Sequence, residues 1–302
     1  MSLSRALGTL EGVILGKPRQ LRLALACLLA RGHLLIEDVP GVGKTTLAHA
    51  LAQVLGLTWQ RVQFTSDLLP ADILGVSIFD RDAQRFEFRR GPLFTQLLLA
   101  DEVNRASPRT QSALLEAMEE RQVSIDGATH PLPQPFFVVA TQNPHEQLGT
   151  WPLPESQLDR FLMRIALGYP EAAEERTLLR ESGERRRFAR ADAALDGDAV
   201  LELQQRVQSL HVADALIDYV QRLVAATRSH PGLRLGLSPR AAQGLVSAAR
   251  AWALLRGSEF VVPDDVQAVW AAVAGHRLDA RDGEEGAQPI VRSLLESVAV
   301  PD

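Results

Sequence analysis

The first half of the chain alternates short apolar runs with segments of helical periodicity. Leu34-Leu35-Ile36, Val62-Gln63-Phe64, Leu97-Leu98-Leu99-Ala100 and Phe136-Phe137-Val138-Val139-Ala140 are each bounded by polar or turn residues, the pattern of strands buried on both faces. Helical patterns lie between them over 45–55 and 108–120. Ser107 is placed to cap the second helix and Pro108 to take its first position. This alternation predicts an α/β fold, a parallel sheet covered by helices.

From about Pro170 the strand-like runs stop. Val212, Leu216, Tyr219, Leu223 and Thr227 share one helical face. Ser238-Pro239 opens a helix running through Leu254, and Pro263-Asp264 opens another towards Ala274. The expectation is an α/β core over residues 1–168 and a smaller all-α domain over 169–302. Arg185-Arg186-Arg187 with Arg190 reads as a solvated charge run between helices.

Two segments interrupt the core. Residues 72–91 alternate apolar and polar positions around Ile73-Leu74-Gly75-Val76 and Phe86-Glu87-Phe88, and read as an inserted hairpin. Residues 121–135 carry Val123-Ser124-Ile125, then Asp126-Gly127, then His130-Pro131-Leu132, a second hairpin with an Asp-Gly turn.

Composition narrows the function classes. The 302 residues, 46% hydrophobic and 23% charged, are enough to bury a sizeable core. A net charge of -5 argues against a broad basic surface for duplex nucleic acid. Cys27 is the only cysteine, which excludes an intrachain disulfide or a cysteine-built zinc site. It sits in an apolar run over 21–30, interrupted by Arg22 and shorter than the roughly 20 residues a bilayer takes. No membrane span or leader pattern is read, and a reducing cytoplasm is the expected compartment. Only two of the 32 basic residues are lysines, Lys17 and Lys44, which makes Lys44 conspicuous.

Lys44 lies in Asp38-Val39-Pro40-Gly41-Val42-Gly43-Lys44-Thr45-Thr46, between a strand and a helix, the context of a phosphate-binding loop. Glycines let backbone N–H groups converge on phosphate oxygens, and the helix N-terminus favours negative charge. Lys44 supplies a compact charge to the β- and γ-phosphates and Thr45 a hydroxyl to Mg²⁺. The usual first glycine of the pattern is Asp38 here, which can instead fix the loop by accepting backbone hydrogen bonds. The strand 97–100 ends in Asp101-Glu102, one carboxylate near Mg²⁺ and one to orient or deprotonate water. The strand 136–140 ends in Thr141-Gln142-Asn143-Pro144, where Asn143 can hydrogen-bond water or the γ-phosphate. Arg160 in Leu158-Asp159-Arg160-Phe161 and Arg240 in Ser238-Pro239-Arg240 complete the candidates.

Phosphate loop, double carboxylate, asparagine and arginine in this order, followed by a helical domain starting Ser-Pro-Arg, resemble the AAA+ ATPases and, within them, the MoxR family. Further words carrying the likeness are Gly91-Pro92-Leu93-Phe94, the run 100–106 (ADEVNRA), 111–119 and 149–161 (GTWPLPESQLDRF). Trp151 and Ser156 depart from the family's more usual tyrosine and alanine. The resemblance covers nearly the whole chain. It implies that Lys44 and Thr45 are Walker A residues, Asp101 and Glu102 Walker B, Asn143 sensor 1, Arg160 the arginine finger and Arg240 sensor 2. It implies a helix-2 insert over about 72–90, a pre-sensor-1 hairpin over about 121–135 and a helical lid at the C-terminal end. ATP and Mg²⁺ are the implied ligands. The expected activity is that of a chaperone-like ATPase that works as a ring, read as a hexamer, with Arg160 reaching into the neighbouring subunit's site. A client protein and a von Willebrand factor A-domain protein are the implied partners.

Two rival readings stand beside it. A nucleic-acid motor needs basic and aromatic residues on a pore hairpin. Arg121 to Pro135 offers His130 but no aromatic ring, whereas Arg81, Arg85, Arg89 and Arg90 with Phe79, Phe86 and Phe88 form a better candidate. A nucleotide-gated scaffold has no need of Glu102.

Overall fold

The computed structural model describes residues 3–144, 149–180, 192–281 and 287–301, so the Arg185–Arg190 charge run lies outside the described residues. Helices α1 (Leu3–Val13) and α2 (Pro18–Leu29) precede β1 (Leu34–Glu37), and α3 (Lys44–Val54) leads to β2 (Trp59–Gln63). The short α4 (Pro70–Leu74) opens a hairpin of β3 (Gly75–Asp80) and β4 (Arg85–Arg90). Next come β5 (Leu97–Asp101), α5 (Pro108–Glu120), the hairpin strands β6 (Gln122–Ile125) and β7 (Ala128–Pro131), β8 (Phe137–Gln142), α6 (Glu155–Leu158) and β9 (Met163–Ile165). The central sheet is parallel throughout, in the order β2-β5-β8-β1-β9.

Its interior strands are apolar because both faces are covered. Alternation sorts their side chains between two cores. Leu97, Leu99, Phe137 and Val139 pack with α2, α3 and the C-terminal helices, while Leu98, Ala100, Val138 and Ala140 face α5. The edge strand β2 is more polar, with Gln60, Arg61 and Gln63 exposed. It spans Trp59–Gln63 rather than the apolar run 62–64, because an edge strand needs only partial cover.

Among the described residues the remaining helices are α7 (Ala172–Arg180), α8 (Gly197–Ser209), α9 (Asp214–Ser229), α10 (Pro239–Leu255), α11 (Pro263–Ala274) and α12 (Gln288–Ser297). Leu216, Tyr219, Leu223 and Thr227 are buried along α9, the face read from their spacing. Ser107 and Ser238 accept from the amides of Thr110 and Ala241 and cap α5 and α10, each worth about 1 kcal/mol over alanine. Trp270 of α11 is fully buried and donates Nε1–H to Val291 O at 2.7 Å. Truncating it to alanine removes about 3–5 kcal/mol. The helical region also holds a small antiparallel pair, β10 (Leu233–Leu235) and β11 (Asp279–Ala280), too short to show an alternating period in the sequence.

Both inserted segments are hairpins. In the second, Asp126 and Gly127 have φ of 51° and 77°, as a two-residue type I′ turn requires. Phe88 of β4 stacks on His130 of β7 with ring centroids 4.1 Å apart, so the hairpins touch each other. Among the described residues no helix is long and apolar enough to cross a membrane.

Candidate active site

The loop 38–43 leaves the C-terminal end of β1 and turns into α3. Gly43 precedes the helix at φ 94°, and Gly41 sits at φ 85° with open space where a Cβ would stand. Both conformations favour glycine. Val39, Pro40 and Val42 complete the loop, and Thr45 and Thr46 follow Lys44 on the first turn of α3. Lys44 Nζ donates to Asp38 O at 2.5 Å across the loop. The Asp38 side chain accepts from the Val39 amide at 2.8 Å and from the amides of Leu167 and Gly168, both at 2.6 Å. Asp38 thus fixes the loop and ties it to the segment entering the helical region.

Asp101 and Glu102 stand at the C-terminal end of β5, two strands from the loop. Asp101 is buried, and Thr141 donates its hydroxyl to Asp101 Oδ1 at 2.6 Å while accepting the Glu102 amide at 2.9 Å. Arg61 donates to Asp101 Oδ2 through Nη2 at 2.7 Å. Glu102 adopts φ 56°, a left-handed conformation that non-glycine residues adopt at a cost and that clusters at functional sites. Its Oε2 accepts from Gln63 Nε2 at 2.8 Å and from Arg105 Nη1 at 3.0 Å. Asn143 follows β8 and is buried. Beyond this edge, buried Gln111 donates Nε2–H to the carbonyls of Val103, Ala106 and Trp151, joining the turn after Glu102 to the 149–161 segment.

These residues fit the implied ligands. The space beside Gly41 is open, and the Thr45 hydroxyl and Asp101 carboxylate are hard oxygen donors suited to Mg²⁺.

Arg160 and Arg240 lie at the other edge of the sheet. The Leu162 amide donates to His33 O, which places the Arg160 segment at the start of β1, whereas Lys44 follows its end. One strand length, on the order of 13 Å, separates the two edges. Arg160 Nη2 approaches Glu119 Oε2 at 3.1 Å, and Arg240 Nη1 donates to Glu119 Oε1 at 2.8 Å. A cavity of about 270 Å³ opens here, lined by five arginines (Arg31, Arg121, Arg160, Arg240 and Arg277) against two carboxylates, Glu119 and Asp159.

Buried groups brace this cavity. Arg277 donates Nε–H to Asp159 Oδ1 at 2.6 Å and further N–H groups to the carbonyls of Asp159, Phe161, Leu162 and Val273. Burial lowers its pKa, and the Asp159 carboxylate opposes that shift. His33 accepts the Val138 amide at Nδ1 (3.0 Å), which leaves Nε2–H to donate to Met118 O at 3.1 Å. Burial brings its pKa down to about 4.

The sequence presented one string of candidates. The structure gathers Lys44, Thr45, Asp101, Glu102 and Asn143 at one edge and pairs Arg160 with Arg240 at the other. Glu119, Arg277, Gln63 and Arg61 carried no assigned role in the sequence, since each reads there as an ordinary surface residue.

The family described as "ATPase family associated with various cellular activities (AAA)" matches residues 33–163, and the AAA lid domain matches 225–294. The chain is 45% identical to an uncharacterized protein, YeaC, of Bacillus subtilis, over 99% of this chain and 95% of that one. It is 42% identical to chaperone MoxR1 of Mycobacterium tuberculosis, over 99% and 82%. Protein MoxR of Paracoccus denitrificans is 38% identical over 89% and 86%. A crystal structure from Cytophaga hutchinsonii, provisionally described as an ATPase, superposes with a TM-score of 0.91 at 34% identity, over 99% of this chain and 94% of that one.

Proposed function

The chain belongs to the MoxR family of AAA+ ATPases, and on that premise we propose that it hydrolyses ATP at sites shared between subunits of a homo-oligomeric ring, a hexamer. The carrying observation is the placement of Arg160 and Arg240 one strand length away from their own Lys44. Arginines so placed serve a phosphate held by a neighbouring copy. In this reading residues 1–168 form the nucleotide-binding core and 169–302 the lid.

The loop amides and Lys44 hold the β- and γ-phosphates. A magnesium ion, held through Thr45 and Asp101, supplies charge neutralisation when bound. Glu102 leaves Gln63, orients a water and takes its proton as the water oxygen bonds to the γ-phosphorus and the bond to the ADP oxygen breaks. Asn143 hydrogen-bonds that water or the γ-phosphate. Arg160 and Arg240 of the adjacent subunit stabilise the charge on the transferred group, a contribution of about 10³–10⁵ in rate for arginine fingers.

The work delivered is remodelling or maturation of client proteins in the cytoplasm, beside a von Willebrand factor A-domain partner. The chaperone name of the 42% identical relative supports this reading. A nucleic-acid motor draws on the exposed Phe79 and Phe86 at the first hairpin's tip. The neighbouring Arg85 is engaged by Glu87 at 2.8 Å and the net charge is -5, so the client reading is preferred.

The test is mass by light scattering with and without Mg-ATP, with phosphate release on the same samples, for wild type, Lys44→Ala and Glu102→Gln. Lys44→Ala is expected to lose nucleotide binding, and Glu102→Gln to bind ATP, assemble and not turn over. A monomer that hydrolyses ATP at an undiminished rate per subunit on dilution would overturn the shared-site reading.

A further inference from the structure

Glu119 occupies a place its helix does not explain. It lies in the last turn of α5, where the helix dipole disfavours an anion. Its carboxylate nevertheless takes one guanidinium on each oxygen, Arg240 on Oε1 and Arg160 on Oε2. The two arginines come from distant parts of the chain, one from the turn before β9 and one from the first turn of α10. All three side chains are partly exposed, at 34%, 31% and 50% for Glu119, Arg160 and Arg240, so the pairing faces an open cavity.

The surroundings hold these groups in place. His33 fixes the carbonyl of Met118, Arg121 donates Nη2–H to Arg31 O, and Arg277 fixes the backbone on both sides of Arg160. Asp159, the second carboxylate of the cavity, is engaged by the buried Arg277. Glu119 is therefore the carboxylate that balances Arg160 and Arg240, and its two oxygens lie where two oxygens of a phosphoryl group would meet the same guanidiniums.

Resting on the shared-site reading, we infer that Glu119 is a positioning residue that stands in for the neighbouring subunit's γ-phosphate. It keeps Arg160 and Arg240 together as one unit in the free subunit, and the terminal phosphate of ATP held by an adjacent copy displaces it during assembly. The two arginines then act together in trans. A dianionic phosphoryl group out-competes a single carboxylate for two guanidiniums, whereas ADP, which lacks that group, leaves Glu119 in place. Glu119 in this way sets how much ATP is needed to close the interface.

The experiment is an ATP titration of assembly, by light scattering, in the Glu102→Gln background, with and without Glu119→Gln. A fluorescent ATP analogue reports binding to the subunit's own site at protein concentrations too dilute for assembly. The neutral, near-isosteric Glu119→Gln removes the competing charge. It should lower the ATP midpoint of assembly about threefold or more, the scale of two partly exposed ion pairs. It should leave analogue binding unchanged, because Glu119 lies at the far edge from Lys44. Glu119→Asp, too short to reach both arginines, should fall between. An unchanged or raised midpoint would overturn the role of Glu119 while leaving the ring intact. A merely structural role would lower thermal stability and analogue binding together. If Arg160→Ala assembles and turns over like wild type, the shared-site reading fails and this inference fails with it.

Discussion

Thr141 on β8 donates its hydroxyl to Asp101 Oδ1 on β5 at 2.6 Å, joining the C-terminal ends of two adjacent strands beside the phosphate-loop candidate. The same hydroxyl oxygen receives the Glu102 amide. Thr141→Val keeps the shape and removes both bonds. The expected loss of stability is about 1–3 kcal/mol, the cost of leaving buried polar groups unpaired, with a fall in turnover as Asp101 and Glu102 lose their shared anchor. Urea unfolding and phosphate release check it, and the wild-type values of both would show the hydroxyl to be dispensable.

Asp38 ties the phosphate loop to the Leu167 and Gly168 amides, and Lys17 Nζ donates to Tyr169 O at 2.7 Å close by. Asp38→Ala releases the first of these ties. We expect weaker ATP binding, because Lys44 loses a fixed loop, and greater proteolytic sensitivity of the chain near residue 168. Limited proteolysis with and without ATP measures this, and an unaltered cleavage pattern would count against the tie.

Arg277 should behave as a support for Arg160. Arg277→Ala leaves Asp159 and several carbonyls without their buried donor, at a cost of about 3–5 kcal/mol, and loosens the segment bearing Arg160. Its own phosphate loop is untouched. In mixtures with Glu102→Gln, whose phosphate site is idle but whose Arg160 is intact, some turnover is expected to return. Absence of recovery, with mixed rings still forming, would place the damage in the subunit's own site. Arg277→Lys keeps the charge without the planar fork and should rescue little.

Acid should begin to destabilise the fold as pH falls below about 6.5. His33 is held neutral with its pKa at about 4 against an ordinary 6.5, so the unfolded chain binds the proton more readily. Its contribution is complete above about pH 6.5, declines as pH falls towards 4 and changes no further below. At about 1.4 kcal/mol for each unit of pKa difference, the loss over that window is roughly 3 kcal/mol. His276 is shifted in the same direction, first by burial and then by Arg277. Urea midpoints at pH 7.5 and 5 measure the loss. His33→Gln should be less stable at pH 7.5 and lose less on acidification.

The candidates gathered at the C-terminal edge of the sheet are legible as a group because their signals are local. A glycine-bearing turn between strand and helix, or an apolar run ending in two carboxylates, is written in fewer than ten consecutive positions. The strands β5 and β8 and the caps Ser107 and Ser238 are legible for the same reason. The arginine cavity was not, because its partners meet only after folding. Arg277 reaches Asp159 from 118 residues further along the chain, and Arg240 is 121 residues from Glu119. In the sequence Glu119 is one acid among several on an amphipathic helix. Strand β9 is not legible in the sequence because three residues show no period, and its place is set by pairing with β1.

The stack of Phe88 on His130 joins two hairpins that are far apart in the sequence. At the outer end of the first are Phe79 and Phe86, whose rings meet edge-on at 5.2 Å. At the root of the second the Leu132 amide is held by Arg121 O at 3.0 Å, and the Arg121 guanidinium grips Arg31 O, in the wall of the cavity that holds Arg160 and Arg240. The exposed Phe79–Phe86 pair and the cavity that holds Arg160 and Arg240 are therefore the two ends of one short run of contacts.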